Sequence, residues 1–329
     1  MKRLAILGGG AWGTALAVVA RRAGSLPMIW ARDPAVAAAI NEQHENPAYL
    51  PEILLDPKIG ATNNLGAAAA EAEAVLLAVP AQSLRGVLTA LRAYVPAGMP
   101  LLHCAKGIEA GTLATVSEIG SEILPAAPFA VLSGPSFGSE VACGLPAAVT
   151  IASHQAALAR AFTAALANDR FRPYLSDDPL GAEIGGAVKN VLAIACGMIL
   201  GRGFGDNARA ALITRGLAEM SRLGLAKGGR AETFAGLSGI GDLVLTCSAV
   251  QSRNYALGLA LGRGATLSEA LRARHTTVEG VATAAAVVGL AGRLGVEMPI
   301  SEAVDTVLHR GVSIEAMADR LLRRPHRAE

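Results

Sequence analysis

Two polar residues stand side by side where the sequence is otherwise apolar. In "GGAVKNVLAIACGMIL" (185–200), Lys189 and Asn190 interrupt a stretch with no other charge for more than a helical turn on either side. An ammonium taken out of water is costly unless it is paired. Lys189 is therefore either a lysine whose stem lies on an apolar edge while its head reaches water, or a proton donor tuned by its surroundings. A carboxylate in a comparable setting is Asp242, in the glycine-punctuated "GLSGIGDLVLTC" (236–247). It too needs a partner, and Lys189 is the candidate. Burial lowers the proton affinity of a lysine and a neighbouring carboxylate raises it, so the working value is a balance.

Further along, "SRNYALGLALG" places Ser252 at the cap of a helix with Arg253 and Asn254 in its first turn. An arginine, an asparagine and free helix N–H groups make a phosphate clamp, although the same pattern also serves an ordinary capped surface helix. At the other end of the chain, "RLAIL" runs into "GGGAWGTALA". Gly8, Gly10 and Gly13 have the G-x-G-x-x-G spacing between a strand and a helix. The first glycine permits the tight turn. The second lets a pyrophosphate approach the backbone, and the third lets helix and strand pack closely. The following "WARDP" leaves the cofactor open: Asp33 suits a ribose 2′-hydroxyl (NAD), Arg32 suits a 2′-phosphate (NADP), and Arg32 tilts the balance towards NADP.

The elements that must carry these residues alternate over 1–175. Short apolar runs at 3–7, 28–31, 74–80, 100–104, 129–133 and 147–152 read as strands, separated by Ala/Leu-rich helical segments. That is the pattern of an α/β, Rossmann-type, doubly wound and mostly parallel sheet. "FRPYLS" (171–176) reads as a further strand, with Pro173 pointing to an edge. In such a sheet ligands bind at the carboxyl ends of the strands. This places "HCAKGIE" and "LSGPSFGSEVA" by the crevice, with Lys106 for an anionic substrate and Gly134 and Ser136 for hydrogen bonds. From "SDDPLGAE" onwards only helix-length runs remain: 180–200, 207–225, 230–236, 252–262, 267–273, 279–295, 300–309 and 313–323. The expected division is a dinucleotide-binding domain over 1–177 and an all-helical substrate domain over 178–329.

Composition narrows the function classes. The 329 residues are 52% hydrophobic and 17% charged, with a net charge of +2. That allows a large core and gives no general case for nucleic acid or an acidic membrane. Cys104, Cys143, Cys196 and Cys247 form no CxxC pair, and the six histidines form no metal-binding spacing, so no metal is expected and a reducing compartment fits. "MKRLAILGGGAWG" starts like a secretory signal, but four glycines break its apolar run. No later apolar run reaches the roughly 18 residues of a membrane span.

Taken together, "GGGAWGTALA", "AKGIE", "LSGPSFGSEVA", "GAVKNVLAIACG", "DNARAALITRGLAEM", "GLSGIGDLVLTC", "SRNYALG" and "VEG" resemble, in order and over nearly the whole chain, the bacterial cytosolic NAD(P)-dependent glycerol-3-phosphate dehydrogenases. The resemblance implies a cytoplasmic homodimer. It implies reversible reduction of dihydroxyacetone phosphate to sn-glycerol 3-phosphate with NAD(P)H, for phospholipid synthesis. It places the catalytic lysine on Lys189 and substrate contacts on Lys106, Gly134, Ser136, Asp242, Ser252, Arg253 and Asn254. Cofactor contacts fall on Trp12, Arg32, Lys106, Gly138, Arg253, Thr277 and Glu279, beside the glycine loop. Ala11 stands where many relatives have serine, losing a possible hydroxyl contact to the phosphates, and Gly138 where alanine is usual. The chemistry agrees: negative charge grows on a carbonyl oxygen as it is reduced, and the Lys189 ammonium can stabilise it and then donate its proton. Asn190 and Asn207 are further candidates for orienting the site.

Three other readings carry different chemistry. A related dehydrogenase acting on a keto or hydroxy acid would need a carboxylate clamp rather than the "SRN" phosphate clamp. A non-catalytic dinucleotide sensor would have no use for Lys189 and Asp242 together. A nucleotide-sugar enzyme would need a catalytic cysteine or an extra domain, and neither is evident.

Overall fold

A computed structural model describes residues 1–272 and 277–325. The chain divides into two compact units: Met1–Lys106 with Ala114–Glu183, and Gly107–Leu113 with Ile184–Glu329. The expected boundary at 177 falls six residues before the second unit's main segment begins.

The first unit is built on one sheet. Its strands are β1 (Arg3–Leu7), β2 (Leu26–Trp30), β3 (Gly60–Thr62), β4 (Ala74–Leu77), β5 (Leu101–His103), β6 (Phe129–Ser133), β7 (Ala147–Ala152) and β8 (Phe171–Ser176). They lie in the order β3-β2-β1-β4-β5-β6-β7-β8, all parallel except the β6–β7 pair. Alternate residues serve opposite faces. Leu4 and Ile6 of β1 join the core beneath the helices Ala11–Arg22 and Ala156–Leu166. Ala5 and Leu7 join the core beneath Ala81–Leu91 and Val116–Ile123. Burial on both faces is why these strands read as continuous apolar runs. The order reverses between β1 and β4, which is the switch point where such sheets hold ligands.

Two prolines sit where a strand tolerates a missing N–H. Pro27 of β2 pairs with Leu4 of β1 but lies beyond the reach of β3, which starts opposite Met28. Pro173 lies on β8, whose only partner strand among the described residues is β7, so the expected edge position holds. β3 is not evident from the sequence, because its three residues, "GAT", carry no alternation to read.

In the second unit, all the described regular elements are helical. The helix Pro179–Gly201, which begins in the first unit, is the most deeply buried of them; Ile184, Ala187, Val188, Val191, Leu192 and Ile194 are at most 1% exposed. Asp178 starts it, accepting a 2.8 Å hydrogen bond from the Gly181 N–H. The expectation that no apolar run is long enough for a membrane needs correcting here. Pro179–Gly201 is long and apolar enough, but 83% of its most apolar window is buried in protein, as in a core helix. It crosses the helix Arg253–Gly262 backbone against backbone. A Cβ at Gly201 would sit 2.7 Å from the Leu259 carbonyl oxygen, and one at Gly258 would overlap that of Ile194. Glu219, on the helix Gly205–Lys227, caps the helix Pro299–Arg310 from outside by accepting from the N–H groups of Ile300 (2.6 Å) and Ser301 (3.1 Å).

Candidate functional site

In the first unit the glycine loop connects β1 to the helix Ala11–Arg22. Gly8 has φ +126°, and a Cβ there would lie 2.6 Å from the carbonyl oxygen of Ala78, just beyond β4. A Cβ at Gly13 would overlap the carbonyl oxygen of Gly8. Gly10 differs: a Cβ there meets nothing within 4 Å, so the space in front of it is open. Gly10 is also the helix N-cap and brings no side chain to the first-turn N–H groups, which stay available for an anion. Trp12, in the first turn of that helix, packs against the core and has a buried indole N–H with no hydrogen-bond partner among the described residues. Gly138 opens the helix Gly138–Cys143 against the loop; a Cβ there would lie 3.2 Å from the Ala11 carbonyl oxygen. An open glycine cradle and uncapped N–H groups fit the pyrophosphate of a dinucleotide.

Asn46 is a supporting residue that sequence reasoning misses. It is fully buried, and its Nδ2 donates to the Gly9 carbonyl oxygen at 2.9 Å and to Thr14 Oγ1 at 2.8 Å, bracing the loop from below. Nothing in its local sequence, "NEQHENPAYL", marks it.

At the end of β2, Asp33 Oδ1 accepts from the Ala35 N–H at 2.9 Å and so caps the helix Pro34–Gln43. Arg32 beside it is exposed and has no partner among the described residues. Farther along the sheet, Lys106 Nζ donates to the Gly134 carbonyl oxygen at 2.9 Å, and Ser136 Oγ donates to the same atom at 3.0 Å. The three residues expected at the crevice therefore do converge. His103 supports their loop: its Nδ1 accepts from the Ala105 N–H at 3.2 Å. Complete burial pushes His103 down to about 3, so the ring is neutral.

In the second unit Lys189 is 7% exposed, and its Nζ donates to Asp242 Oδ1 at 2.6 Å and to Thr246 Oγ1 at 2.9 Å. Thr246 Oγ1 in turn donates to Asp242 Oδ1 at 3.3 Å. The pairing expected from sequence is present, and the edge-lysine alternative is not what the structure adopts. Local backbone explains the placement of the carboxylate. Leu237–Gly241 forms one π-helical turn, and Asp242 opens the α-helix Asp242–Ser248 directly after it. Gly185 lets this turn approach, since a Cβ there would overlap the Ser238 carbonyl oxygen. Thr246 is missed from sequence because 236–247 does not read as a helix; on a helix, Asp242 and Thr246 are i,i+4 neighbours on one face. Beneath them Cys247 packs beside Cys196, and burial pushes its thiol far above the ordinary range, so it stays protonated.

Ser252 Oγ accepts from the Tyr255 N–H at 3.2 Å, the expected cap. Arg253 is exposed, with no partner among the described residues. Asn254 is only 8% exposed; its Nδ2 donates to Asn190 Oδ1 at 2.8 Å and its Oδ1 accepts from the Gly280 N–H at 2.9 Å. Glu279 is partly buried at the first position of the helix Glu279–Leu294, whereas Thr277 is exposed and outside any helix. Asn207 is exposed in the first turn of Gly205–Lys227.

A doubly wound sheet with a glycine cradle at its switch point, followed by a helical unit carrying a buried Lys–Asp–Thr cluster, defines the class: two-part dinucleotide-binding α/β proteins. The chain belongs to the NAD-dependent glycerol-3-phosphate dehydrogenase family. The model of that family's N-terminal part matches residues 3–159 and that of its C-terminal part residues 178–319. A glycerol-3-phosphate dehydrogenase [NAD(P)+] of Rhodospirillum rubrum is 56% identical over 326 residues, 99% of this chain and 93% of that one. One from Caulobacter vibrioides is 52% identical over 328 residues, 100% of this chain and 99% of that one. The crystal structure of glycerol-3-phosphate dehydrogenase from Coxiella burnetii superposes with a TM-score of 0.95 at 38% identity, covering 98% of this chain and 99% of that one.

Proposed function

We propose that this chain reversibly reduces dihydroxyacetone phosphate to sn-glycerol 3-phosphate with NADH or NADPH, supplying glycerol phosphate for phospholipids. The observation that carries this reading is the buried Lys189–Asp242–Thr246 cluster. Family membership and the activity named for its relatives supply the reaction.

The cofactor, when bound, supplies the hydride. Residues 1–177 hold it, with Gly8, Gly10, Ala11, Trp12, Gly13, Arg32, Lys106 and Gly138 around it, and residues 178–329 add Arg253, Thr277 and Glu279. Lys189 stabilises the charge that grows on the substrate's carbonyl oxygen and gives that oxygen its proton. Asp242 keeps the ammonium charged before transfer, and Thr246 fixes its direction. Arg253, the cap at Ser252 and the first-turn N–H groups of that helix take the substrate phosphate; Lys106, Gly134 and Ser136 are further substrate contacts. With Asp33 engaged as a helix cap, Arg32 is the free polar group at the end of β2, which favours NADP. The working form is a cytoplasmic homodimer.

The test follows NADH and NADPH oxidation with dihydroxyacetone phosphate against unphosphorylated dihydroxyacetone. Rapid turnover of the phosphorylated ketone alone supports the reading. Preference for a keto acid transfers the fold to another substrate, and cofactor binding without oxidation of any ketone leaves a sensor.

A further inference from the structure

Asn254 invites a role as one more phosphate ligand, but its side chain is already engaged at both ends. The amide N–H donates to Asn190 Oδ1 at 2.8 Å, and the amide oxygen accepts from the Gly280 N–H at 2.9 Å. These partners lie on three helices, Pro179–Gly201, Arg253–Gly262 and Glu279–Leu294. Each adjoins in sequence a residue with its own role in the site. Asn190 follows Lys189, Asn254 follows Arg253, and Gly280 follows Glu279. The fit is close enough to need a glycine. A Cβ at Gly280 would lie 2.6 Å from Asn254 Oδ1, 2.7 Å from Ile194 Cδ1 and 2.8 Å from the Asn190 carbonyl oxygen.

We propose that Asn254 is a positioning residue, an amide brace that fixes Asn190 and the start of the Glu279 helix around Lys189. The brace therefore contributes to the reaction whether or not the substrate carries a phosphate. Two features argue for this. A buried side chain that both donates and accepts across three helices has one arrangement that satisfies it, so it transmits position. Its one remaining N–H can still meet a phosphate, but the other two bonds hold whether or not a phosphate is there. The inference rests on the dehydrogenase reading above and makes a claim that a plain phosphate ligand does not.

The experiment compares kcat and KM of Asn254→Ala with wild type on dihydroxyacetone phosphate and on unphosphorylated dihydroxyacetone. Melting temperature and NADPH affinity are recorded alongside. Breaking one buried hydrogen-bonded link shifts an equilibrium by about 5–10-fold, so kcat on the unphosphorylated ketone is expected to fall by about that factor with KM nearly unchanged. A loss confined to the phosphorylated substrate makes Asn254 a phosphate ligand only and overturns the brace. Asn190→Ala and the double variant complete a cycle on the unphosphorylated ketone: the two losses are expected to be strongly non-additive, and additive losses overturn the link. If Asn254→Ala does not fold, Gly280→Ala disturbs the same brace without removing any side chain that can reach the phosphate, and is expected to show the same kcat loss on the unphosphorylated ketone; normal kcat there counts against the proposal. A wild-type chain that reduces neither ketone removes the reaction itself, and that outcome is visible before any variant is made.

Discussion

Lys189 Nζ stands 2.6 Å from Asp242 Oδ1, a contact closed across 53 residues of chain, with the carboxylate 1% exposed. An ion pair this well buried is a poor device for stability alone, because desolvating both charges offsets much of their attraction. It is a good device for keeping an ammonium charged in a place where water cannot do so.

The first prediction follows directly. Lys189→Met keeps the length of the side chain and removes the proton. Its kcat is expected to fall by about 10²–10⁴-fold, the usual contribution of general acid catalysis, and further where charge stabilisation is lost as well. NADPH binding is expected to persist. Asp242 loses its cation in this variant, so a lower melting temperature is expected too. Near-normal kcat at neutral pH would sink the assignment.

The second concerns the cofactor. Asp33 is held at 2.9 Å by the Ala35 N–H, while Arg32 is exposed and unengaged. Arg32→Ala is expected to raise KM for NADPH more than KM for NADH, since only NADPH carries the 2′-phosphate. Parallel changes in both would show that Arg32 does not reach that group. Asp33→Ala is expected mainly to weaken the start of the Pro34–Gln43 helix, by about 1 kcal/mol, and to alter the NADH to NADPH ratio little.

The third concerns Arg253. The phosphate is remote from the reacting carbonyl, so its binding energy positions the ketone. Losing a charge-assisted arginine contact costs roughly 2–4 kcal/mol. Arg253→Ala is therefore expected to lower kcat/KM for dihydroxyacetone phosphate by about two orders of magnitude. Dihydroxyacetone, with no phosphate to lose, is expected to change far less. Equal losses with intact NADPH binding would remove Arg253 from the clamp.

The fourth is a pH dependence. Burial raises Glu219 from 4.5 to about 7, while donors from Ile300 and Ser301 restrain the shift. The folded chain thus keeps a proton that the unfolded chain releases above about 4.5, so stability is full at acid pH and declines as pH rises through about 7. The whole effect is about 3 kcal/mol. Glu183, raised to about 7 by burial, adds in the same direction. Melting temperatures are expected to fall between pH 5 and pH 8 from this source, and Glu219→Gln to shrink that fall. An unchanged slope in the variant would assign the dependence elsewhere.

Much of this is legible from the amino-acid order alone. Strand β1, the glycine loop and the Lys189–Asp242 pair are readable because each rests on a strong local signal: an apolar run, a fixed glycine spacing, a charge among apolar residues. What escapes depends on distant chain. Thr246 acquires meaning only once Gly185 admits a π turn that sets Asp242 at a helix start. Asn46 supports the glycine loop from more than thirty residues away. Asn254 reads locally as a first-turn polar residue, and its partners at 190 and 280 are invisible from 252–262. Asp33 reads, beside Arg32, as one of two candidates for the cofactor ribose, and its capping of a helix through the proline that follows is not seen from that motif.

The path of residues 107–113 has a practical consequence. This heptad belongs with the helical unit: Ile108 joins its core, the Thr112 carbonyl oxygen accepts from Arg293 Nη1 at 2.9 Å, and Leu113 packs on Gly289. The polypeptide therefore passes from one unit to the other three times, and no single cut yields two self-contained pieces. A fragment starting at 184 would leave a slot along the Glu279–Leu294 helix, and one ending at 183 would carry a loop without its seat. Anyone grafting the helical half of one such protein onto the sheet of another must move two segments together. Chimaeras that respect only the visible change from strands to helices are expected to assemble poorly.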